Sequence, residues 1–98
     1  MSLAASFHAL AERELNDAAR FYKTHTPGLG AAFLDDAERC VLAILEHPEA
    51  GRVMLRKVRR RLLRRFPYAV IYRARPGGIR VLAIMNLKRR PHYWVGRE

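Results

Sequence analysis

Apolar residues near the start of the chain recur at the spacing of a helix. Between about Ala9 and His25 the intervals are four, three and four residues. The positions concerned are Ala11, Leu15, Ala18 and Tyr22. Residues at such intervals share one face of a helix, while the charged residues between them fall largely on the other face. The pattern predicts an amphipathic helix over 9–25, after a short apolar start from Leu3 to Phe7.

A second apolar stripe follows, and polar residues next to prolines mark both of its ends. Thr26 and Pro27 are typical of a helix start, with threonine as the cap and proline in the first turn. His47 and Pro48 mark the end, because the residue before a proline is pushed out of the helical region. The stripe itself consists of Phe33, Ala37, Cys40, Val41 and Ile44. The two helices are expected to form an antiparallel hairpin.

Three runs rich in β-branched and aromatic residues come next. They cover roughly Arg52 to Phe66, which two strands could share, then Tyr68 to Ala74, then Ile79 to Leu87. Pro76, Gly77 and Gly78 form a tight-turn signal, so the last two strands should pair antiparallel. The prediction is an α+β fold in which an N-terminal helical hairpin packs on a twisted antiparallel sheet of three to four strands. We expect one domain over 1–98.

The basic residues are concentrated in the second half of the chain. The formal net charge is +10. From Ala50 to Arg97 there are thirteen Arg and two Lys but no Asp or Glu, whereas residues 1–49 carry four basic residues against eight carboxylates. Because the basic segment is also the most strand-like, its charge should decorate a folded sheet. Such a surface suits an anionic partner.

The run from Val58 to Phe66 places arginines on both faces of a predicted strand. With a period of two, one face carries Val58, Arg60, Leu62, Arg64 and Phe66, and the other carries Arg59, Arg61, Leu63 and Arg65. Unpaired arginines cannot fill an interior, so the second set is expected on the open face of the sheet or at a rim. The alternative is that these charges only protect an exposed edge strand and keep the protein soluble.

Several classes of site are disfavoured by the remaining residues. Cys40 is the single cysteine, which excludes an internal disulfide. Without a leader-like start or an apolar run near eighteen residues, we expect a soluble, cytoplasmic protein with no membrane partner. The four histidines lie far apart, so we expect no metal and no cofactor. We also expect the carboxylates of the helical hairpin to be solvated: Glu12, Glu14, Asp17, Asp35, Asp36 and Glu38.

The sequence resembles the RelE/ParE toxin superfamily and, within it, the ParE-like plasmid-stabilisation branch. In the helical half the resemblance rests on Ala11, Glu14-Leu15, Phe21-Tyr22, Gly28-Leu29-Gly30 with Phe33, and Pro48 with Gly51. In the basic half it rests on Val58-Arg59-Arg60, Leu62-Leu63, Phe66-Pro67-Tyr68, Ile71-Tyr72, Arg89-Arg90-Pro91, Tyr93-Trp94 and Arg97. The resemblance therefore covers nearly the whole chain.

This resemblance implies a toxin of a type II toxin–antitoxin system. Its partner is then a small, acidic, partly disordered antitoxin, with which it forms a hetero-oligomer. Two targets stay open, because ParE-like members bind DNA gyrase and trap it on broken DNA, whereas RelE-like members enter the ribosome and cut mRNA. Gyrase is the preferred expectation. With gyrase as the target the chain is not an enzyme, whereas with mRNA as the target it is an endoribonuclease.

The ribonuclease alternative makes demands on particular residues. Cleavage by the RNA's own 2′-hydroxyl needs two proton carriers and fixed cations for the charge that develops on phosphorus. His92 and Tyr93 are the candidate proton carriers of the basic half, and the candidate phosphate ligands are Arg61, Arg65 and Arg89. The ordinary pKa of a tyrosine hydroxyl is about 10, so Tyr93 would need its pKa lowered. Where related sequences have His after the last strand, this chain has Asn86, which cannot carry a proton.

Other interpretations of the same residues stay open. Tyr93 and Trp94 are also suited to anchor the C-terminus on the sheet. The arginines expected to bind the target or the antitoxin are Arg59, Arg61, Arg65, Arg89, Arg90 and Arg97. A third hypothesis is a nucleic-acid-binding module, in which arginines bind phosphate and neighbouring aromatic rings stack bases.

Overall fold

A short strand, two helices and four further strands follow one another along the described part of the chain. The computed structural model describes residues 4–98. Its elements are β1 (Ala4–Phe7), α1 (Ala9–His25), α2 (Leu29–Glu46), β2 (Arg52–Leu55), β3 (Val58–Leu62), β4 (Tyr68–Arg75) and β5 (Gly78–Asn86). Leu3, where the predicted apolar start begins, lies outside the described residues.

Helix α1 confirms the range predicted from its apolar spacing. It begins after His8, whose Nδ1 accepts a hydrogen bond from the backbone N–H of Leu10 at 3.0 Å. Ala11 and Ala18 are buried, as their positions on the apolar stripe predict. Thr26 takes an extended conformation and ends the helix, with its N–H bonded to the carbonyl of Tyr22.

Helix α2 begins at Leu29, so the prediction of a cap at Thr26 and a first turn at Pro27 is wrong. The residue before the helix is Gly28, whose φ of 82° lies in the left-handed region that glycine adopts without strain. Thr26 and Pro27 lie instead in the turn that precedes the helix. Near the start of α2, Gly30 lets the two helices approach closely, since a Cβ there would lie 2.6 Å from the carbonyl oxygen of Ala19.

The described residues form a sheet of five strands in the order β1-β5-β4-β3-β2. Strands β2 to β5 pair antiparallel, and β4 and β5 meet across the turn predicted at Pro76 to Gly78, where Arg75 lies opposite Gly78. Strand β1 pairs parallel with β5. The α+β class is confirmed, but the predicted count of three to four antiparallel strands is corrected to a five-stranded mixed sheet. Strand β1 has four residues, too few to give a clear alternating pattern.

The central strands β4 and β5 are buried on both faces. The helix-facing side packs against α1 and α2. Its buried residues Val70, Tyr72, Ile79 and Val81 form one cluster with Phe33 and Ile44 of α2. The other side carries a second apolar cluster of Ala69, Ile71, Leu82, Ala83, Met85 and Trp94. Because Trp94 lies in residues 87–98, this C-terminal segment covers part of the face that the helices leave open. We call that side the open face.

The arginines of β3 lie on opposite sides of the sheet. Arg59 and Arg61 lie opposite Tyr72 and Val70 of the helix-facing core, and both are half-buried. They therefore occupy the margin of that side and not the open face, whereas Arg60 lies opposite Ile71 on the open face. The strand ends at Leu62, so the predicted alternation does not continue to Phe66.

The two helices are short and carry many charged residues. Within residues 4–98, neither α1 nor α2 has the length and apolar content needed to cross a bilayer.

Candidate functional site

A carboxylate from α1 lies at the edge of β5. Strand β1 pairs with β5 as far as Val81, so the rest of this edge has no neighbouring strand among the described residues. There the Oε1 atom of Glu14 accepts a hydrogen bond from the backbone N–H of Ile84 at 3.1 Å. Glu14 thus supplies the acceptor that a further strand would otherwise provide.

The same carboxylate binds the guanidinium group of Arg97. Nη1 lies 2.9 Å from Oε1 and Nη2 lies 3.1 Å from Oε2, which is the two-point geometry of a strong arginine–carboxylate pair. Nη1 also donates to the carbonyl of Leu82 at 3.1 Å. The side chains are 13% and 18% exposed, so the pair is largely removed from water. It ties the C-terminal segment to α1 and to the edge of β5.

The ring of Tyr93 lies beside two guanidinium groups. The Cζ atom of Arg89 is 4.1 Å from the ring centroid and that of Arg97 is 5.0 Å from it, both within range of a cation–π contact. Burial, followed by the nearby Glu14 carboxylate, raises the pKa of the Tyr93 hydroxyl, although Arg97 and Arg89 act in the opposite direction. The phenol therefore keeps its proton at neutral pH and is unable to act there as a base.

Trp94 anchors the C-terminal segment, as one interpretation of the sequence predicts. Its side chain is 3% exposed, and its Nε1 donates to the carbonyl of Pro91 at 2.9 Å. His92 is exposed, with its ring edge-on to the Trp94 ring at 5.9 Å between centroids. Asn86 shapes the turn that leads here, since its Oδ1 accepts from the N–H of Lys88 at 2.9 Å.

A second buried carboxylate holds the connection between β3 and β4. Asp36 on α2 is 2% exposed. Its Oδ1 accepts from the backbone N–H of Arg64 at 3.3 Å, and its Oδ2 accepts from that of Arg65 at 2.8 Å. The carboxylate therefore fixes the backbone of two consecutive arginines, whose side chains are exposed.

Exposed cations gather at one end of the sheet. The connection between β3 and β4 lies next to the segment after β5, because the N–H of Leu87 donates to the carbonyl of Pro67 at 3.0 Å. These two segments carry Arg64, Arg65, Lys88, Arg89 and Arg90, all exposed, and we call this group the basic end. Such a group of like charges favours contact with an anionic surface.

The candidate residues from the sequence do not all come together. Arg59 is engaged within the protein, since its Nη1 donates to the carbonyls of Glu49 and Gly51, each at 2.8 Å. Arg61 lines a cavity of about 260 Å³ between α2 and β3, beside Asp36. Arg89 and Tyr93 line a different cavity, of about 380 Å³, with Glu14. Arg65 and His92 line neither cavity, so the residues proposed for a nuclease do not form one group.

Asp36, which is buried, and Glu14, which is 18% exposed, were wrongly expected to be solvated, although helical spacing could have identified both. Asp36 lies three residues after Phe33 and four before Cys40, on the buried stripe of α2. Glu14 likewise lies three residues after Ala11 and four before Ala18, the buried residues of α1. A carboxylate on an apolar stripe must find donors when the helix packs, and here backbone N–H groups and Arg97 provide them.

Comparisons with known proteins agree with this fold. A family model described as "ParE toxin of type II toxin-antitoxin system, parDE" matches residues 5–91. A solved chain described as "Chromosomal ParDE TA system from P. aeruginosa" is similar in structure, with a TM-score of 0.75 and 20% sequence identity. The similarity covers 88% of this chain and 97% of that one. The comparison with curated proteins found no match.

Proposed function

Because the chain belongs to the ParE toxin family of type II toxin–antitoxin systems, we propose that it inhibits DNA gyrase by binding, without catalysis of its own. A small, acidic, partly disordered antitoxin neutralises it in a hetero-oligomer. The observation that carries the proposal is the separation of the nuclease candidates, since Arg61 and Tyr93 line different cavities and His92 is exposed.

A ribonuclease of the alternative kind needs a group that removes the proton of the 2′-hydroxyl near neutral pH. The phenol of Tyr93 holds its own proton there, so it is unsuited to that step. Arg61, a candidate phosphate ligand, lines another cavity than Arg89 and Tyr93. His92 is exposed against Trp94. These positions favour inhibition by binding over cleavage of mRNA.

The proposed contact surface for gyrase and the antitoxin is narrower than the arginine set expected from the sequence. It consists of Arg61, Arg65, Arg89 and Arg90. Arg59 and Arg97 are engaged by carbonyls and by Glu14, so they support this surface from within. An acidic partner gains attraction from the exposed side chains of Arg65, Arg89 and Arg90 and from the half-buried Arg61, and it is steered toward them.

Apolar side chains lie beside these charges. Leu62 at the end of β3 is 51% exposed, and Leu87 just after β5 is 43% exposed. A disordered acidic tail that contains apolar residues would bury both while it neutralises the arginines around them. This combination suits a flexible antitoxin better than it suits a nucleic-acid backbone.

The test uses purified gyrase, relaxed plasmid and ATP. We expect the protein to reduce supercoiling and to leave linear plasmid after detergent and protease treatment, which indicates gyrase trapped on broken DNA. Reversing the charges in the Arg65→Glu/Arg89→Glu double variant should abolish the effect, whereas Arg13→Glu on an exposed part of α1 should not. Unimpaired supercoiling at excess protein, together with cut mRNA on translating ribosomes, would establish the ribonuclease instead.

A further inference from the structure

A cleft lies on the open face of the sheet. Arg97 lines it, but the other arginines selected from the sequence do not. It has a volume of about 430 Å³ and lies between the β2–β3 turn and residues 94–98. Its other charged residues are three cations, Arg56, Lys57 and Arg73, and one acidic residue, Glu98. Val58, Leu82 and Trp94 provide its apolar part. A cleft of this size, mainly apolar with a few charged groups, is typical of a ligand site.

Arg73 lacks the partners that a half-buried arginine needs. Its Nε atom is buried and has no hydrogen-bond acceptor in the part of the chain that the structure describes. Its direct cross-strand partner is Arg80, whose own Nε donates to the carbonyl of Glu98 at 3.2 Å. Like charges placed opposite each other destabilise a sheet, and a buried donor without an acceptor adds a further cost. An anion in the cleft relieves both.

Arg56 occupies a backbone position that disfavours its side chain. It lies in the two-residue turn between Leu55 and Val58, with a φ of 56°. This left-handed conformation suits glycine or asparagine and is uncommon for other residues. Unusual conformations of this kind cluster at active sites and ligand clamps, where the surrounding structure holds them in place. The turn places Arg56 at the mouth of the same cleft.

We propose that this cleft binds an extended acidic peptide, with one carboxylate on Arg73 and Arg56 and an apolar side chain against Val58 and Leu82. Leu55 and Val95, 39% and 54% exposed at the rim, add apolar surface for such a segment. Base stacking is disfavoured because the Trp94 ring is 3% exposed. We identify this peptide as the tail of the antitoxin, and that identification rests on the proposed function. The binding site itself does not depend on the proposed function.

Two variants test the site, because each should preserve or raise stability and at the same time weaken peptide binding. Arg73→Met removes the unsatisfied donor, and Arg56→Gly removes the strained backbone. Both should keep or raise the melting temperature, by about 4 °C where the gain is fully realised. Both should weaken binding of a fluorescent 12-residue peptide of alternating Glu and Leu by roughly 10-fold, the loss expected for a charge-assisted hydrogen bond. Arg75→Met is the control, because it removes one charge from an exposed residue of β4 that does not line the cleft.

Three results would overturn the proposal. One is a lower melting temperature for Arg73→Met with unchanged peptide binding, which would make Arg73 structural. Another is an equal loss of binding in Arg75→Met, which would leave only diffuse attraction. The third is tighter binding of a 12-nucleotide single strand than of the peptide, with the same dependence on Arg73. Gyrase inhibition by the same variants, measured without peptide, separates failure of this site from failure of the proposed function.

Discussion

Glu14 and Arg97 lie 83 residues apart and form a two-point ion pair at the edge of β5 after Val81, where no strand among the described residues pairs with it. The pair also binds the backbone at Ile84 and Leu82, so it replaces the hydrogen bonds of a missing strand. Unpaired strand edges invite pairing with other chains, and this one is blocked by side chains. The C-terminal segment is therefore part of the structure that completes the sheet.

Arg97→Met should destabilise the protein strongly, because it leaves the Glu14 carboxylate buried with less compensation. We expect a loss of about 2 to 4 kcal/mol in the free energy of unfolding, toward the lower end because the pair is not fully buried. Urea denaturation measures it. Arg20→Met is the matched control, since its pair with Asp17 spans 3.7 Å with side chains 76% and 63% exposed. That change should cost less than about 0.5 kcal/mol. Equal effects of the two variants would contradict the role of Arg97.

Asp36→Asn should loosen the connection between β3 and β4. An amide retains one acceptor oxygen, but its NH₂ group then faces a backbone N–H, so one of the two bonds to Arg64 and Arg65 is lost. We expect a cost of about 1 to 3 kcal/mol and faster hydrogen exchange at those two amides. NMR exchange rates measure the change, and Asp35→Asn on the exposed face is the control. Unchanged exchange at both amides would show that the carboxylate does not hold this backbone.

Tyr93 should make stability depend on alkaline pH. Burial and Glu14 raise the pKa of its hydroxyl above the ordinary value of 10.0. The folded form therefore keeps a proton that the unfolded form releases, so this contribution is complete below pH 10 and is lost as the pH rises further. Tyr93→Phe should flatten the decline in stability above pH 10, measured by urea titrations at several pH values. A decline of the same steepness in both proteins would contradict the assignment.

Cys40 should be unreactive in the folded protein. Burial raises the pKa of its thiol to about 11, with Arg61 opposing the shift and Asp36 adding to it. Since the thiolate is the reactive form, a disulfide reagent at pH 8 should modify the native protein far more slowly than the protein in urea. The single cysteine makes this a direct measurement of local opening. Equal rates in the two states would contradict the burial of Cys40.

Helical periodicity was enough to predict α1, and the turn signal at Pro76 to Gly78 was enough to predict the antiparallel pairing of β4 with β5. Strand β1 could not be predicted in this way, because four residues carry too little pattern and their partner lies more than seventy positions away. The start of α2 was misplaced because Thr26 and Pro27 suit a helix cap as well as the turn that they form. Short signals of this kind depend on tertiary context.

The candidate site was predicted less completely. Tyr93, Arg89 and Arg97 were selected by residue type, and the structure brings them together with Glu14. Sequence alone could not show that Tyr93 is half-buried beside a carboxylate, which shifts the pKa of its hydroxyl away from what a base near neutral pH would need. Arg73 was overlooked because its distinguishing property, a buried Nε without an acceptor among the described residues, exists only in the folded sheet.

We propose that this toxin acts on gyrase by binding and that the Tyr93 hydroxyl does not serve it as a base. The most direct test is tightly controlled expression in bacteria of the wild-type chain and of Tyr93→Phe, with DNA synthesis and translation measured separately within minutes. We predict an early halt of DNA synthesis, with translation intact, for both proteins. An early halt of translation with cut mRNA, abolished by Tyr93→Phe, would contradict the account.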